Sequence, residues 1–196
     1  MNLSELQQEV YTITNRPDLV ARTQSAIRAS TLQLHQSDFW FKDLFETGIV
    51  FSLAAFLQQL EYRTLIPRWR SLKYIRKTDA QGTDNGKFLD VVVPELVLDN
   101  YNLNRNDVCY MTGDVIQIRS STELQYIFLG CYLNPDITLT GYSSWIAIDH
   151  PWAIIYEAAN QIFKQIGKQE EWQAYKIMAA EQKQAIVVSN TQAVGY

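Results

Sequence analysis

Apolar residues near the start of the chain recur every three or four positions, which is the period of an amphipathic helix. The first stripe consists of Leu3, Leu6, Val10 and Ile13. It predicts a helix that ends near Thr14. Asn15, as an N-cap, and Pro17, in a first turn, then predict the start of a second helix that ends near Gln36.

The same period returns near the other end of the chain. Asp149-His150-Pro151 precedes an apolar stripe and predicts a third helix, for which Gly167 is a natural end. A fourth helix is predicted from about Gln169 onward. Because only two residues separate them, these two helices should be antiparallel neighbours. We expect both to pack on the second helix.

Between these helical ends the hydrophobic period shortens to two, which is typical of strands. The strand-like segments are 48–53, 71–77, 107–112, 115–120 and 123–133. Gly113-Asp114 between two of them predicts a hairpin turn. Residues 94–101 predict a short helix, and residues 54–62 fit either a helix or a strand.

The whole pattern predicts an α+β fold. Residues 1–46 and 134–190 form a helical bundle from the N- and C-terminal segments. Residues 47–133 form a β-rich antiparallel insertion of three or four strands, and residues 191–196 form a C-terminal tail.

The composition is that of a folded protein, with 47% hydrophobic and 19% charged residues among 196. Aromatic residues make up 12% of the chain, and Tyr and Trp are favoured at interfaces between proteins. No apolar run is long enough to span a membrane. A helical frame that holds a β-rich insert favours presentation of a surface over formation of a catalytic pocket.

Charge is unevenly placed along the chain. Residues 63–77 carry six bases and no acid, whereas the net charge of the chain is −4. The six bases are Arg63, Arg68, Arg70, Lys73, Arg76 and Lys77. Three interpretations stay open for them: a solvated strand face, contact with a phosphate backbone, or contact with the acidic insert of the next subunit in a ring. Net acidity argues against a dedicated nucleic-acid binder.

Few residues are suited to catalysis. The chain has two histidines and two cysteines, and it lacks metal-ligand spacings, nucleotide-binding glycine loops and a nucleophile elbow. We therefore predict no catalytic, cofactor-binding or metal-binding residue. His35, at a helix end, suits the helix dipole as a cation.

The two cysteines lie in strand-like runs, where buried reduced thiols are expected. A disulfide between Cys109 and Cys131 requires an oxidising compartment. A cysteine-dependent hydrolase remains an alternative, through a dyad of Cys109 with His150 or of Cys131 with His35.

The last residues are polar and lack periodicity. They are Ser189, Asn190, Thr191, Gln192, Ala193, Val194, Gly195 and Tyr196. Two interpretations stay open for this segment: a frayed terminus, or a docking peptide whose Tyr196 enters a pocket of a partner.

Several segments resemble the head-to-tail adaptor (connector) proteins of tailed bacteriophages. The first are Thr14-Asn15-Arg16-Pro17-Asp18-Leu19, Ala26-Ile27-Arg28-Ala29-Ser30-Thr31-Leu32 with His35, and Leu72-Lys73-Tyr74-Ile75-Arg76-Lys77. The others are Ile118-Arg119-Ser120-Ser121-Thr122, Gly141-Tyr142-Ser143-Ser144-Trp145-Ile146-Ala147, and Ala174-Tyr175 with Ala179-Ala180-Glu181-Gln182. Together they extend from about residue 14 to 190.

The resemblance implies a virion structural protein of the neck, assembled in the host cytoplasm. Such adaptors form a ring, usually a dodecamer, on the portal protein and carry the downstream tail or nozzle protein. The genomic DNA then passes through the channel with only transient contact. By position, residues 189–196 correspond to the portal-binding segment. Another neck or tail-completion ring protein is the nearest alternative.

Overall fold

The computed structural model describes residues 1–78, 86–98 and 103–194. The protein is a mixed α+β structure that divides into two compact units. One unit contains Met1–Asp43 and Asn134–Tyr196, and the other contains Leu44–Leu133. The described residues form six α-helices and one mixed sheet of five strands. None of these helices is both long and apolar enough to cross a bilayer.

The helices are α1 (Leu3–Thr14), α2 (Val20–Gln36), α3 (Tyr62–Leu65), α4 (Trp145–Asp149), α5 (Pro151–Gln165) and α6 (Gln169–Val194). All except α3 belong to the first unit. Gly167, with φ of 76°, ends α5 as predicted.

The boundary between α1 and α2 differs from the prediction. Asn15, predicted to cap the second helix, instead ends α1 in the left-handed conformation with φ of 51°. Its N–H donates to the Tyr11 carbonyl at 2.8 Å. Asn tolerates this conformation better than most residues, which suits the end of a helix. The second helix therefore begins at Val20, after Pro17.

The core of the helical unit forms around α5. This helix buries apolar side chains on more than one face, and α1, α2 and α6 all pack against it. The predicted contact of α5 with α2 is confirmed, whereas α6 lies mainly along α5 rather than on α2. The fully buried members of this core are Leu6, Val10, Ile27, Trp40, Ile146, Ala153, Ile154, Ile155, Ala158 and Ile162.

The strands are β1 (Leu44–Glu61), β2 (Trp69–Thr78), β3 (Asp90–Val91), β4 (Val108–Thr112) and β5 (Val115–Leu133). The long strand β5 is central. It pairs with β1 along one edge, and with β4 and then β2 along the other. β3 runs parallel to β4, so the sheet is mixed and not purely antiparallel as predicted.

The parallel pair arises because the chain crosses from β2 to β4 just before β3. The Leu89 N–H donates to the Ile75 carbonyl at 2.9 Å, and the Val92 N–H donates to the Cys109 carbonyl at 2.9 Å. A crossing of this kind has no local sequence signal.

Other strand predictions are confirmed or extended. Thr112 pairs with Val115 across the predicted turn, where Gly113 has a positive φ of 57°. The segments 115–120 and 123–133 form one continuous strand, because residues 121–123 contain no glycine or proline that would turn the chain. The ambiguous stretch from residue 54 is a strand up to Glu61. The predicted helix at 94–101 is a 3-10 turn over Pro94–Leu96, and residues 99–101 lie outside the described residues.

One extra residue in β2 changes which side chains face the core. Leu72 pairs with Cys131 and Tyr74 with Gly130, so Lys73 is left as a bulge. Leu72 and Ile75 therefore both pack in the core of this unit, although strict alternation predicted opposite faces for them.

The close approach of Tyr74 to Gly130 gives the first prediction. A Cβ atom at residue 130 would lie 2.6 Å from the Tyr74 ring, whereas a Cβ at Gly48 would meet nothing within 4 Å. We expect Gly130→Ala to lower the free energy of unfolding by about 1–3 kcal/mol through overpacking. Gly48→Ala, the matched control in β1, should change it by less than about 0.5 kcal/mol. Urea denaturation of the two variants measures this, and equal effects would contradict it.

Candidate functional site

One edge of the sheet is open along a whole strand. β1 pairs with β5 on one side, and no described residue pairs with the other side. Between Glu46 and Glu61 this strand contains neither a charged residue nor a proline. Natural proteins usually protect such an edge with lysines, prolines or a covering segment. We call residues 47–60 the β1 edge.

Apolar side chains are exposed along the middle of the β1 edge. Leu53 is 76% exposed, and Val50, Phe56 and Leu57 are each more than half exposed. Phe51 and Leu60 of the same strand lie in the core. The exposed residues lie within the short stretch 50–57, and clustered exposed apolar side chains are typical of association surfaces.

The pairing of β1 with β5 is irregular in the middle of the β1 edge. The register with β5 shifts between Val50 and Ala55, and again between Ala55 and Leu57. The Gln58 side-chain amide donates to the carbonyls of Leu53, at 2.7 Å, and Leu124, at 2.6 Å. These bonds hold the irregular backbone in place.

A second exposed apolar surface lies in the same unit. Its members lie at the end of β3 and in the residues after it, and each is close to half exposed or more: Val91, Val93, Leu96 and Leu98. We call these four residues the 91–98 strip. The unit therefore exposes apolar side chains along two different stretches of the chain.

The six bases predicted as one patch are divided among different roles. The Arg63 Nε lies 2.6 Å from Asp114, and Lys77 forms an ion pair with Asp107. Burial alone raises the pKa of Asp107, but hydrogen bonds from Lys77 and Ser121 lower it to about 2.

Two further members of the patch lie over aromatic rings. The Arg76 guanidinium lies 5.0 Å from the centre of the Phe128 ring, and the Lys73 Nζ lies 5.9 Å from that of Tyr132. Arg70 is partly buried, and Arg68 is exposed. The patch is thus not one free cationic face.

His35 is the centre of a buried polar cluster that the sequence did not predict. Its Nδ1 lies 2.8 Å from the Asp43 Oδ1, and its Nε2 lies 2.8 Å from the Ser144 Oγ. The Trp145 Nε1–H donates to the same Asp43 oxygen at 2.7 Å. His35 lies in the last turn of α2, as predicted, and is only 2% exposed.

Hydrogen bonds connect the serine to the histidine and the histidine to the aspartate, as in the catalytic triad of serine hydrolases. The Ser144 hydroxyl, however, is buried and accepts the Ala147 N–H at 3.3 Å as the N-cap of α4. The cluster thereby ties α2, the turn Phe41–Asp43 and α4 together. Its members are distant in sequence and meet only in the fold, so no local spacing predicted them.

The cysteines are buried free thiols, as predicted. Burial, with a nearby Asp90, raises the pKa of Cys109 to about 12, and burial raises that of Cys131 to about 11. Both thiols are therefore neutral at physiological pH, which does not suit a nucleophile.

These pKa shifts predict a loss of stability at alkaline pH. The thiols ionise near pH 9 when unfolded but only near pH 11–12 when folded. The unfolded state therefore releases protons first as pH rises, and the free energy of unfolding falls from about pH 9 upward. Urea denaturation between pH 7 and 10 measures this slope. Substitution of both cysteines by alanine should flatten it, and an unchanged slope would contradict the assignment.

The C-terminal segment extends a helix. The structure continues α6 to Val194, where the sequence predicted a C-terminal tail over residues 191–196. No glycine or proline interrupts residues 189–194, and the Thr191 hydroxyl donates to the Val187 carbonyl at 2.9 Å. Gly195 and Tyr196 lie outside the described residues.

The described residues contain no group of His, Cys, Asp and Glu side chains that could hold a metal ion. No family model matches the chain, and no curated protein matches it either.

Proposed function

We propose that this protein is a structural virion protein, the head-to-tail adaptor of a tailed bacteriophage. It assembles as a dodecameric ring on the portal protein, connects the portal to the downstream tail or nozzle protein, and forms part of the DNA channel. In this proposal the helices from both ends of the chain form a bundle, and the β-rich unit is an insertion that contributes to the ring.

The β1 edge is the observation that carries this proposal. Fourteen consecutive uncharged residues line the open side of an 18-residue strand, with Leu53 and its neighbours exposed. Such an edge in a free monomer promotes aggregation, so a partner that covers it stabilises the protein in solution. The 91–98 strip of the next subunit is a second apolar surface that can cover it, and repetition of this contact closes a ring.

Two other surfaces receive roles in the same proposal. Residues 189–196 reach the portal, and the exposed bases among residues 63–77 line the channel or meet an acidic face of the next subunit. The net charge of −4 limits adhesion of DNA during its passage.

The mass of the purified protein in solution, alone and mixed with a portal ring, tests the proposal. We expect the protein to join the portal at one copy per portal subunit. A truncation after Val188 should lose this binding if residues 189–196 hold the portal. Binding to isolated tail tubes, without binding to portal rings, would instead indicate a tail-completion protein.

The order of Ser144, His35 and Asp43 favours one rival function, a serine hydrolase. A fluorophosphonate probe separates the two proposals, because a catalytic serine reacts with it and a buried helix cap does not. Labelling of the folded protein that disappears in Ser144→Ala would support the hydrolase.

A further inference from the structure

A cavity of about 280 Å³ lies among three helices of the helical unit. Gln33, Leu34 and Ser37 of α2 line one side, and Glu157 and Asn160 of α5 form another. The α6 side consists of Lys176, Ala179, Ala180 and Lys183. Its volume is close to the lower end of the range for ligand pockets, so it suits a small group.

The sequence of α6 explains why this space is open. Lys176 and Lys183 are two helical turns apart, about 10 Å along the axis, and therefore lie on the same face. Ala179 and Ala180 lie between them and are too small to fill the gap between α6 and α2. The result is a hollow whose α6 side carries two lysines.

Asn160 gives the cavity an unmet hydrogen-bonding requirement. The residue is 9% exposed, and its buried Oδ1 has no hydrogen-bond partner among the described residues. A buried acceptor without a partner is costly, and native structures rarely leave one unexplained. A hydrogen-bond donor from a bound ligand would satisfy this oxygen.

The charged residues of the lining determine which charge a ligand needs. Two lysines and one glutamate give the lining a net positive charge. Lys183 forms no ion pair with a described residue, and the Lys176 Nζ lies 5.6 Å from the Trp172 ring. A monoanion balances this net positive charge. A phosphate dianion exceeds it and is repelled by the Glu157 carboxylate. A carboxylate without a donor would leave the Asn160 Oδ1 unsatisfied, because both groups are hydrogen-bond acceptors.

We propose that this cavity binds a carboxylate that carries an N–H donor beside it. An acidic residue within a peptide has this chemistry, and so does a free N-acylated amino acid whose only charge is its α-carboxylate. The carboxylate lies between Lys176 and Lys183, and the N–H donates to the Asn160 Oδ1. This inference goes beyond the proposed adaptor function and does not depend on ring formation.

Isothermal titration calorimetry on the full chain tests the proposal with two probes. N-acetylglycine, a monoanion, represents the free small molecule, and an N-acetylated, C-amidated Ala-Glu-Ala peptide represents the acidic residue of a protein partner. Binding of either probe supports the site, and their relative affinity identifies the source. Absence of binding by both, or equal binding of inorganic phosphate, overturns it.

Single variants locate the binding. Lys183→Ala should weaken it about tenfold or more, since a hydrogen bond to a charged group is lost. Lys164→Ala removes the same charge outside the cavity lining and should leave the affinity unchanged.

Asn160→Leu separates binding from folding. It should abolish binding and raise the melting temperature, because it replaces an unpaired buried oxygen with an apolar group of similar size. A purely structural Asn160 would give a lower melting temperature, and unchanged binding by this variant would overturn the proposal. Ring assembly is measured separately, by mass. The binding result can therefore be interpreted even if the adaptor function is disproved.

Discussion

Asp43→Ala is expected to lower the free energy of unfolding by about 3–5 kcal/mol. A single Asp43 oxygen accepts from both the His35 Nδ1, at 2.8 Å, and the Trp145 Nε1, at 2.7 Å. Removal of the carboxylate leaves a buried imidazole donor without this acceptor in a site that has little access to water. Because the cluster joins α2 to α4, the loss should affect the whole helical unit.

Urea denaturation followed by circular dichroism measures this effect. Asp43→Asn retains an oxygen acceptor and should lose clearly less stability than Asp43→Ala. Asp149→Ala is the matched control for loss of an aspartate, since Asp149 pairs with Lys42 at the surface at 2.6 Å. Exposed pairs contribute about 0–1 kcal/mol, so this control should stay near wild type. Similar losses for Asp43→Ala and Asp149→Ala would contradict a structural role for the cluster.

Local signals account for the elements that the sequence predicted correctly. The 3–4 spacing from Leu3 to Ile13 and the turn at Gly113 depend only on residues close in sequence, and both appear as predicted. The α+β class follows from the same change of period along the chain.

The elements that were left open or mispredicted depend on residues far apart in sequence. Residues 54–60 contain good helix formers, yet pairing with β5 makes them a strand. The bulge at Lys73 and the parallel β3–β4 pair likewise follow from the sheet as a whole.

The candidate sites could not be predicted from the sequence for the same reason. Ser144 lies 109 residues from His35, and Lys183 lies on a different helix from Asn160, so only the fold brings each pair together. The apolar run of the β1 edge was visible in the sequence, but its open side was not, because exposure of an edge depends on which strands pair elsewhere. Burial and edge position are therefore the two properties that required the structure.

The β1 edge gives the second large prediction. Replacement of both Val50 and Leu53 by lysine should reduce assembly on the portal more than tenfold, while the folded monomer is retained. Both side chains are largely exposed, so the monomer loses little, and surface substitutions usually change stability by about 0.5 kcal/mol or less. In an assembled ring the same lysines would be buried without partners, which costs several kcal/mol. Natural proteins use edge lysines to prevent strand addition in this way.

Native mass spectrometry of the variant with a portal ring, together with circular dichroism of the variant alone, measures both halves of this prediction. Ile177→Lys is the control, because Ile177 is an apolar residue of α6 that is 62% exposed and lies outside the sheet. If the lysine effect comes from general surface charge, this control will lose assembly as well. If the β1 edge joins subunits, the double variant alone will fail, since only there do the new charges enter a contact between strands. Assembly of the double variant at wild-type stoichiometry would show that another surface forms the ring.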